Sequence, residues 1–135
     1  MAGPHVRPSQ SGTVTGSVRI ILRAEGLALF ACATAAYFWR GDPWWLFVVL
    51  FLAPDLSFLG YLAGRRIGAM AYNTAHATLG PLVLGAIGVL AGNETALGLA
   101  LIWLAHVGFD RVLGYGLKYP SGFADTHLGR IGPDR

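Results

Sequence analysis

Four stretches of this chain, residues 18–39, 44–63, 67–91 and 95–117, are long and almost wholly apolar. A bilayer core of about 30 Å takes about 20 apolar residues to cross as an α-helix, and each stretch meets that length. Inside hydrocarbon every backbone amide has to be paired within the structure, which leaves only helices and closed barrels. The expected fold is therefore all-α, a four-transmembrane-helix bundle over residues 18–117. Residues 1–17, rich in Gly, Ser, Thr and Pro, cannot bury a core and are expected to be a disordered tail. Residues 118–135 form a second, C-terminal tail. The composition agrees: 54% of the 135 residues are hydrophobic and 13% are charged, with a mean hydropathy of +0.53. A soluble domain carries about twice that charged fraction.

Several classes fall away. Cys32 is the single cysteine and lies in an apolar run, so no disulfide framework or cysteine-based zinc site forms within one chain. The net charge of +3 records membrane topology and not nucleic acid, because no interleaving of aromatic and basic residues accompanies it. A cleaved signal peptide ending near "FACATA" is disfavoured by the long polar lead-in and the bulky "YFWR" that follows.

The basic residues orient the bundle. With four spans, both termini and the loop between the second and third share a side. That side holds Arg7, Arg19, Arg23, Arg65, Arg66, Arg111, Lys118, Arg130 and Arg135, against Arg40 alone on the other. The bias places both termini in the cytoplasm of a multi-pass inner-membrane protein, with Trp39, Trp44 and Trp45 at the outer interface. Gly85, Gly88, Gly92 and Gly98 suit close helix packing. Pro54 and Pro81 should kink the second and third spans and free the carbonyls of Leu50 and Ala77.

The intramembrane polar residues share one depth. Glu25, Asp55, Asn73, His76, His106 and Asp110 all fall in the cytoplasmic third, counted from the helix ends at 3.6 residues per turn. Ionisable groups in hydrocarbon are costly, so several at one level should face each other. His106 and Asp110, four apart, share a helical face, as do Tyr72 and His76. Asp55, His76, His106 and Asp110 are thus expected to converge on one cavity opening inward, as catalytic groups. Tyr72, Asn73, Glu25 and Arg111 would surround them. Local roles compete at several positions. Glu25 could pair with Arg19 or Arg23, Arg111 could snorkel to phosphates, Asn73 could bond a neighbouring helix, and Asp55 could cap a broken helix.

At "PDLSFLGYLAG", "YNTAH", "LAHVGFDRVLGYGLKY" and "FADTHLG" the chain resembles a family of small bacterial four-helix membrane proteins defined only as a domain of unknown function. The likeness runs from about residue 23 to residue 132. It implies a four-span membrane fold and supplies no activity, substrate or catalytic residue. It also implies that residues 123–129, which contain "THLG", fold back on the cytoplasmic face. His127, and with it Asp125, would then close the site.

Three functional classes remain. His76, His106 and His127 with Asp110 and Asp55 suit a Zn²⁺ or Fe²⁺ site, which would activate water against a lipid-like substrate. Without a metal, a buried Asp55 or Asp110 could protonate an isoprenoid alkene or epoxide. A proton or ion carrier is the second class, opposed by the lack of a polar path through the outer half. An accessory structural protein, its cluster fixing only helix register, is the third. Membrane lipids are the expected surroundings, nucleic acid is not a partner, and the oligomeric state, homo-oligomers included, stays open.

Overall fold

The computed structural model describes residues 16–114 and, beyond them, only the backbone of residues 125–126 and 129–130. The order is α1 (Gly16–Trp39), α2 (Trp44–Leu50), a 3-10 helix (Ala53–Ala63), α3 (Arg65–His76), α4 (Leu79–Ala91) and α5 (Glu94–Val112). Asp125–Thr126 pairs antiparallel with Gly129–Arg130. Three helical segments, Gly16–Trp39, Trp44–Ala63 and Glu94–Val112, are long and apolar enough to cross a membrane, and α3 with α4, bent by 42°, meets the same test as a pair, as a broken span or a re-entrant loop would. The fold-back of residues 123–129, and His127 with it, lies outside the described residues apart from that two-residue pairing.

The boundaries depart from the sequence expectation where glycine and proline act. Helix α1 already begins at Gly16, inside the stretch expected to be tail. Helix α5 stops at Val112, short of residue 117, and Gly114 follows at φ +83°, a left-handed backbone that glycine tolerates best. Pro81 sits in the first turn of α4, and the break falls four residues earlier, at Ala77, whose ψ of 149° is extended. This is the kink expected from proline's missing N–H and its clash with the preceding turn.

Pro54 does more than kink its helix. Helix α2 ends after 7 residues, Leu52 adopts φ −92° and ψ 0°, and the chain continues as an 11-residue 3-10 helix. Runs beyond 3–4 residues are uncommon for that helix, so packing has to sustain it. At three residues per turn Asp55, Phe58 and Tyr61 stand in one row, whereas an α-helix would turn each about 60° from the last. The row lies along α3. Asp55 meets His76, the Phe58 ring stacks at 5.3 Å on Tyr72, and the Tyr61 ring covers Gly68. The 3-10 stretch is also longer per residue. At about 2.0 Å rise it adds about 22 Å to the roughly 10 Å of α2, enough together for a bilayer core of about 30 Å.

Helices α1 and α5 run antiparallel over their whole length. Arg23 Nε donates to the Val112 carbonyl at 2.9 Å near one end. At the other end Arg40 pairs with Glu94 at 2.7 Å and with Asp42 at 3.3 Å. Between them Gly26 and Gly108 let the backbones touch. A Cβ on Gly108 would lie 2.6 Å from the Phe30 nitrogen and 2.7 Å from the Gly26 oxygen. This is the small-residue packing that apolar helices use in lipid, where burial from water gives no drive. Helix α4 packs on α5 the same way, through Gly88 against Leu97 and Gly85 against Ala100.

Candidate metal-binding site

Four side chains from three elements meet in the interior. Asp55 comes from the start of the 3-10 helix, His76 from the last residue of α3, and His106 and Asp110 from one face of α5. His76 Nε2 is 3.1 Å from Asp55 Oδ1 and 3.2 Å from Asp110 Oδ2. His106 Nε2 is 3.2 Å from each of the same two oxygens. The two Nε2 atoms are 3.1 Å apart. Five of the six edges of a four-atom cluster therefore measure 3.1–3.2 Å, and no two of its atoms are more than 4.8 Å apart. Ligands held tetrahedrally at about 2.0 Å from a zinc ion are about 3.3 Å from one another.

The histidine tautomer sharpens this geometry. His76 Nδ1 lies 2.9 Å from the Tyr72 carbonyl oxygen, which can only accept, so Nδ1 carries the proton and donates it. In the neutral ring Nε2 then presents a lone pair to the cluster. His106 Nδ1 is buried without a hydrogen-bond partner among the described residues, and the Phe51 backbone carbonyl lies near its ring. That carbonyl is open because its 3-10 partner would be Pro54, which has no N–H, while the Asp55 N–H goes to Leu52. Backbone carbonyls behind Nδ1 are the usual way a protein fixes the Nε2 of a metal-ligating imidazole. Two such lone pairs and two carboxylates this close in an apolar interior call for positive charge between them, which shared protons or a bound cation would supply.

The surroundings are built from the broken helix. The break after His76 leaves the last carbonyls of α3 without helical partners. Helix α5 supplies two donors: the Trp103 indole N–H to the Ala75 carbonyl, and Arg111 Nη2 to the His76 carbonyl at 2.8 Å. Arg111 thus points inward and not to a headgroup. The Tyr72 ring stacks on His76 at 3.8 Å and 10°. Phe51 meets His106 edge-on at 5.4 Å. His76 and His106 are fully buried and Asp110 nearly so, whereas the Asp55 side chain keeps 34% of its exposure.

Beside the cluster lies an apolar cavity of about 300 Å³ lined by Leu50, Ala53, Pro54, Leu84, Leu99 and Ile102. Its lining residues adjoin Asp55 in sequence, and Leu99 and Ile102 sit one to two turns before His106 on α5. It extends along α5 toward the end of the bundle that holds Arg40 and Glu94.

Of the residues expected around the site, Tyr72 and Arg111 touch it, and Asn73 is half-buried one turn from the end of α3. Glu25 does not take part. It is exposed on α1, forms no ion pair among the described residues, and leaves Arg23 to bond the end of α5. Trp103, Phe51 and Phe58 were not expected at the site. The spacing of Trp103, one turn before His106 on the same face, is the signal that could have found it.

Against known proteins, the profile described as "Domain of unknown function (DUF4260)" matches residues 19–131. The chain matches no curated protein and no solved structure.

Proposed function

Since the chain belongs to this DUF4260 family, whose description names no activity, its role is read from the geometry, and we propose a membrane-embedded, metal-dependent enzyme that acts on a lipid or isoprenoid substrate. Four spans cross a bacterial inner membrane, both termini face the cytoplasm, and the metal sits within the bundle. His76, His106 and Asp110 hold a Zn²⁺ or Fe²⁺ ion, with Asp55 in the fourth position. Two imidazoles and carboxylate oxygens suit either ion. Bound there, the ion supplies Lewis acidity and a nucleophile drawn from water at neutral pH. The chain's own groups do the rest. Tyr72 and Arg111 fix His76, one through its carbonyl behind Nδ1 and the other through its hold on the end of α3. Asp55, the exposed member, is placed to take or give a proton next to the substrate. The observation that carries this reading is the set of 3.1–3.2 Å separations among four buried or half-buried acceptor atoms.

Elemental analysis of detergent-purified protein tests it. The expected result is about one zinc or iron per chain in the wild type. His106→Gln and Asp110→Asn should each lose the ion while keeping helical content, because both replacements preserve side-chain volume. A wild-type protein that arrives without metal and takes up neither Zn²⁺ nor Fe²⁺ on dialysis would overturn the reading and leave the four side chains as a proton-linked structural cluster.

A further inference from the structure

Three features of the cluster and its neighbourhood point in one direction. The ligands are unequal: His76, His106 and Asp110 are buried, and Asp55 alone is a third exposed. Their supports are unequal too. His76 ends α3, which Trp103 and Arg111 tie, and Asp110 lies near the end of α5, which Arg23 bonds, whereas Asp55 rides the first turn of a 3-10 helix, directly after a proline and with its N–H bonded to Leu52. The apolar cavity lies next to the site, since Ala53 and Pro54, the two residues before Asp55, and Ala75, the residue before His76, form part of its wall. The cavity is small for a ligand pocket, at the lower end of the usual range of about 300–1,000 Å³. It is walled by apolar side chains, the Trp103 indole among them, and the surrounding medium of a spanning bundle is itself hydrocarbon.

From this juxtaposition we propose that the site binds a single-chain amphiphile, a fatty-acyl or comparable linear alkyl compound. Its oxygen-bearing end takes the place of Asp55 at the metal, and its chain fills the cavity among Leu50, Ala53, Leu84, Leu99 and Ile102. The inference rests on the metal reading above. The three buried residues keep the ion while Asp55 swings off it, and the displaced carboxylate stays beside the bound oxygen. Asp55 is in this view a replaceable ligand and the other three are permanent ones.

Straight-chain hydroxamic acids provide the probe, because the hydroxamate binds divalent metals through two oxygens and its chain can be lengthened one methylene at a time. The Co²⁺-loaded full-length protein in detergent is titrated with the series from acetohydroxamate to dodecanohydroxamate, followed by visible absorption of the cobalt. Relative to a cavity-filled variant at the same detergent concentration, wild-type affinity should rise by up to about fourfold per methylene until the cavity is full, and then level off. Leu99→Trp, which fills the cavity, should bind acetohydroxamate like the wild type and lose the rise. The comparison at equal detergent cancels partition of the longer probes into micelles. If Leu99→Trp does not fold, Ala53→Phe serves the same purpose from the opposite wall. Asp55→Asn should retain about one cobalt per chain and bind acetohydroxamate at least as tightly as the wild type. Parallel chain-length series in wild type and filled variants would overturn the slot while leaving the metal reading intact. Loss of cobalt from Asp55→Asn would overturn the replaceable ligand. A wild type that binds no cobalt at all would remove both this inference and the reading it stands on.

Discussion

Replacing Gly108 by alanine separates what holds the bundle together from what forms the site. The added Cβ would stand 2.6 Å from the Phe30 nitrogen and 2.7 Å from the Gly26 oxygen. An ordinary contact begins near 3.4 Å, so α1 and α5 are too close by about 0.7–0.8 Å. Both neighbours are backbone atoms and cannot swing aside. The helices must therefore move apart along their tightest contact, and overpacking of this kind costs about 1–3 kcal/mol. Alanine recovers up to about 1 kcal/mol of helix propensity over glycine. The net expected destabilisation is about 1–2 kcal/mol, read from reversible unfolding in mixed detergent and SDS micelles. Gly26→Ala should cost at least as much, since its Cβ would run into the Arg111 Cβ. The double variant should cost less than the two added together, because helices already parted by one methyl accept the second more easily. Helix α1 contributes no ligand, so all three proteins should retain their metal. An unchanged stability would refute the close backbone contact. Metal loss at full stability would refute the independence of the site from α1.

Three further outcomes follow. Pro54→Ala returns an N–H to the chain and lets α2 continue as an α-helix, turning Asp55 out of line with Phe58 and Tyr61; chelator competition should show metal affinity reduced on the order of tenfold, and an unchanged affinity would mean that the 3-10 helix does not place Asp55. Trp103→Phe keeps an aromatic ring and removes the donor to the Ala75 carbonyl, with an expected loss of about 0.6–1.7 kcal/mol in the same unfolding assay; full stability would mean that the indole N–H does not matter to α3. A reporter active only in the periplasm should be silent when fused at the C-terminus and active when placed at residues 92–94, and the reverse pattern would invert the orientation drawn from the basic residues.

The helical segments were legible because length and apolarity act together: little else can be done with 20 such residues. The convergence of Asp55, His76, His106 and Asp110 was legible as well, since depth along a helix is a matter of counting and buried polar groups need partners. What escaped was what one helix does to another. Arg111 reads as a neighbour of the site, but its partner, the His76 carbonyl at the broken end of α3, does not show in the sequence. Trp103 reads as apolar filling for the same reason. Pro54 announced a break, but its position suggested a freed Leu50 carbonyl, which is the α-helical bookkeeping. With 3-10 pairing the open carbonyl is that of Phe51, behind His106. Nothing in "APDLSFLGYLA" favours eleven residues of 3-10 helix over an α-helix. That choice is made by the rings of Phe58 and Tyr61 lying along α3. Glu25 had the right depth and the wrong face, because α1 turns Gly26, Ala33 and Tyr37 inward.

The broken end of α3 also bears on how the chain is made. A nascent membrane protein emerges N-terminus first, so α3 and α4 are synthesised before α5 exists. Until α5 arrives, the carbonyls of Ala75 and His76 lack Trp103 and Arg111, and Asp55 faces His76 without the second pair of ligands. Each unsatisfied polar group costs several kcal/mol in hydrocarbon. The first part of the chain is therefore poorly suited to lie in lipid on its own, and the last span arrives carrying both the missing donors and two of the four cluster side chains. Insertion becomes a late, concerted event in which α5 commits the preceding helices to the bilayer. A nascent chain stopped at Asn93 should remain with the insertion machinery or be degraded, while one carried through Val112 should be released into the membrane.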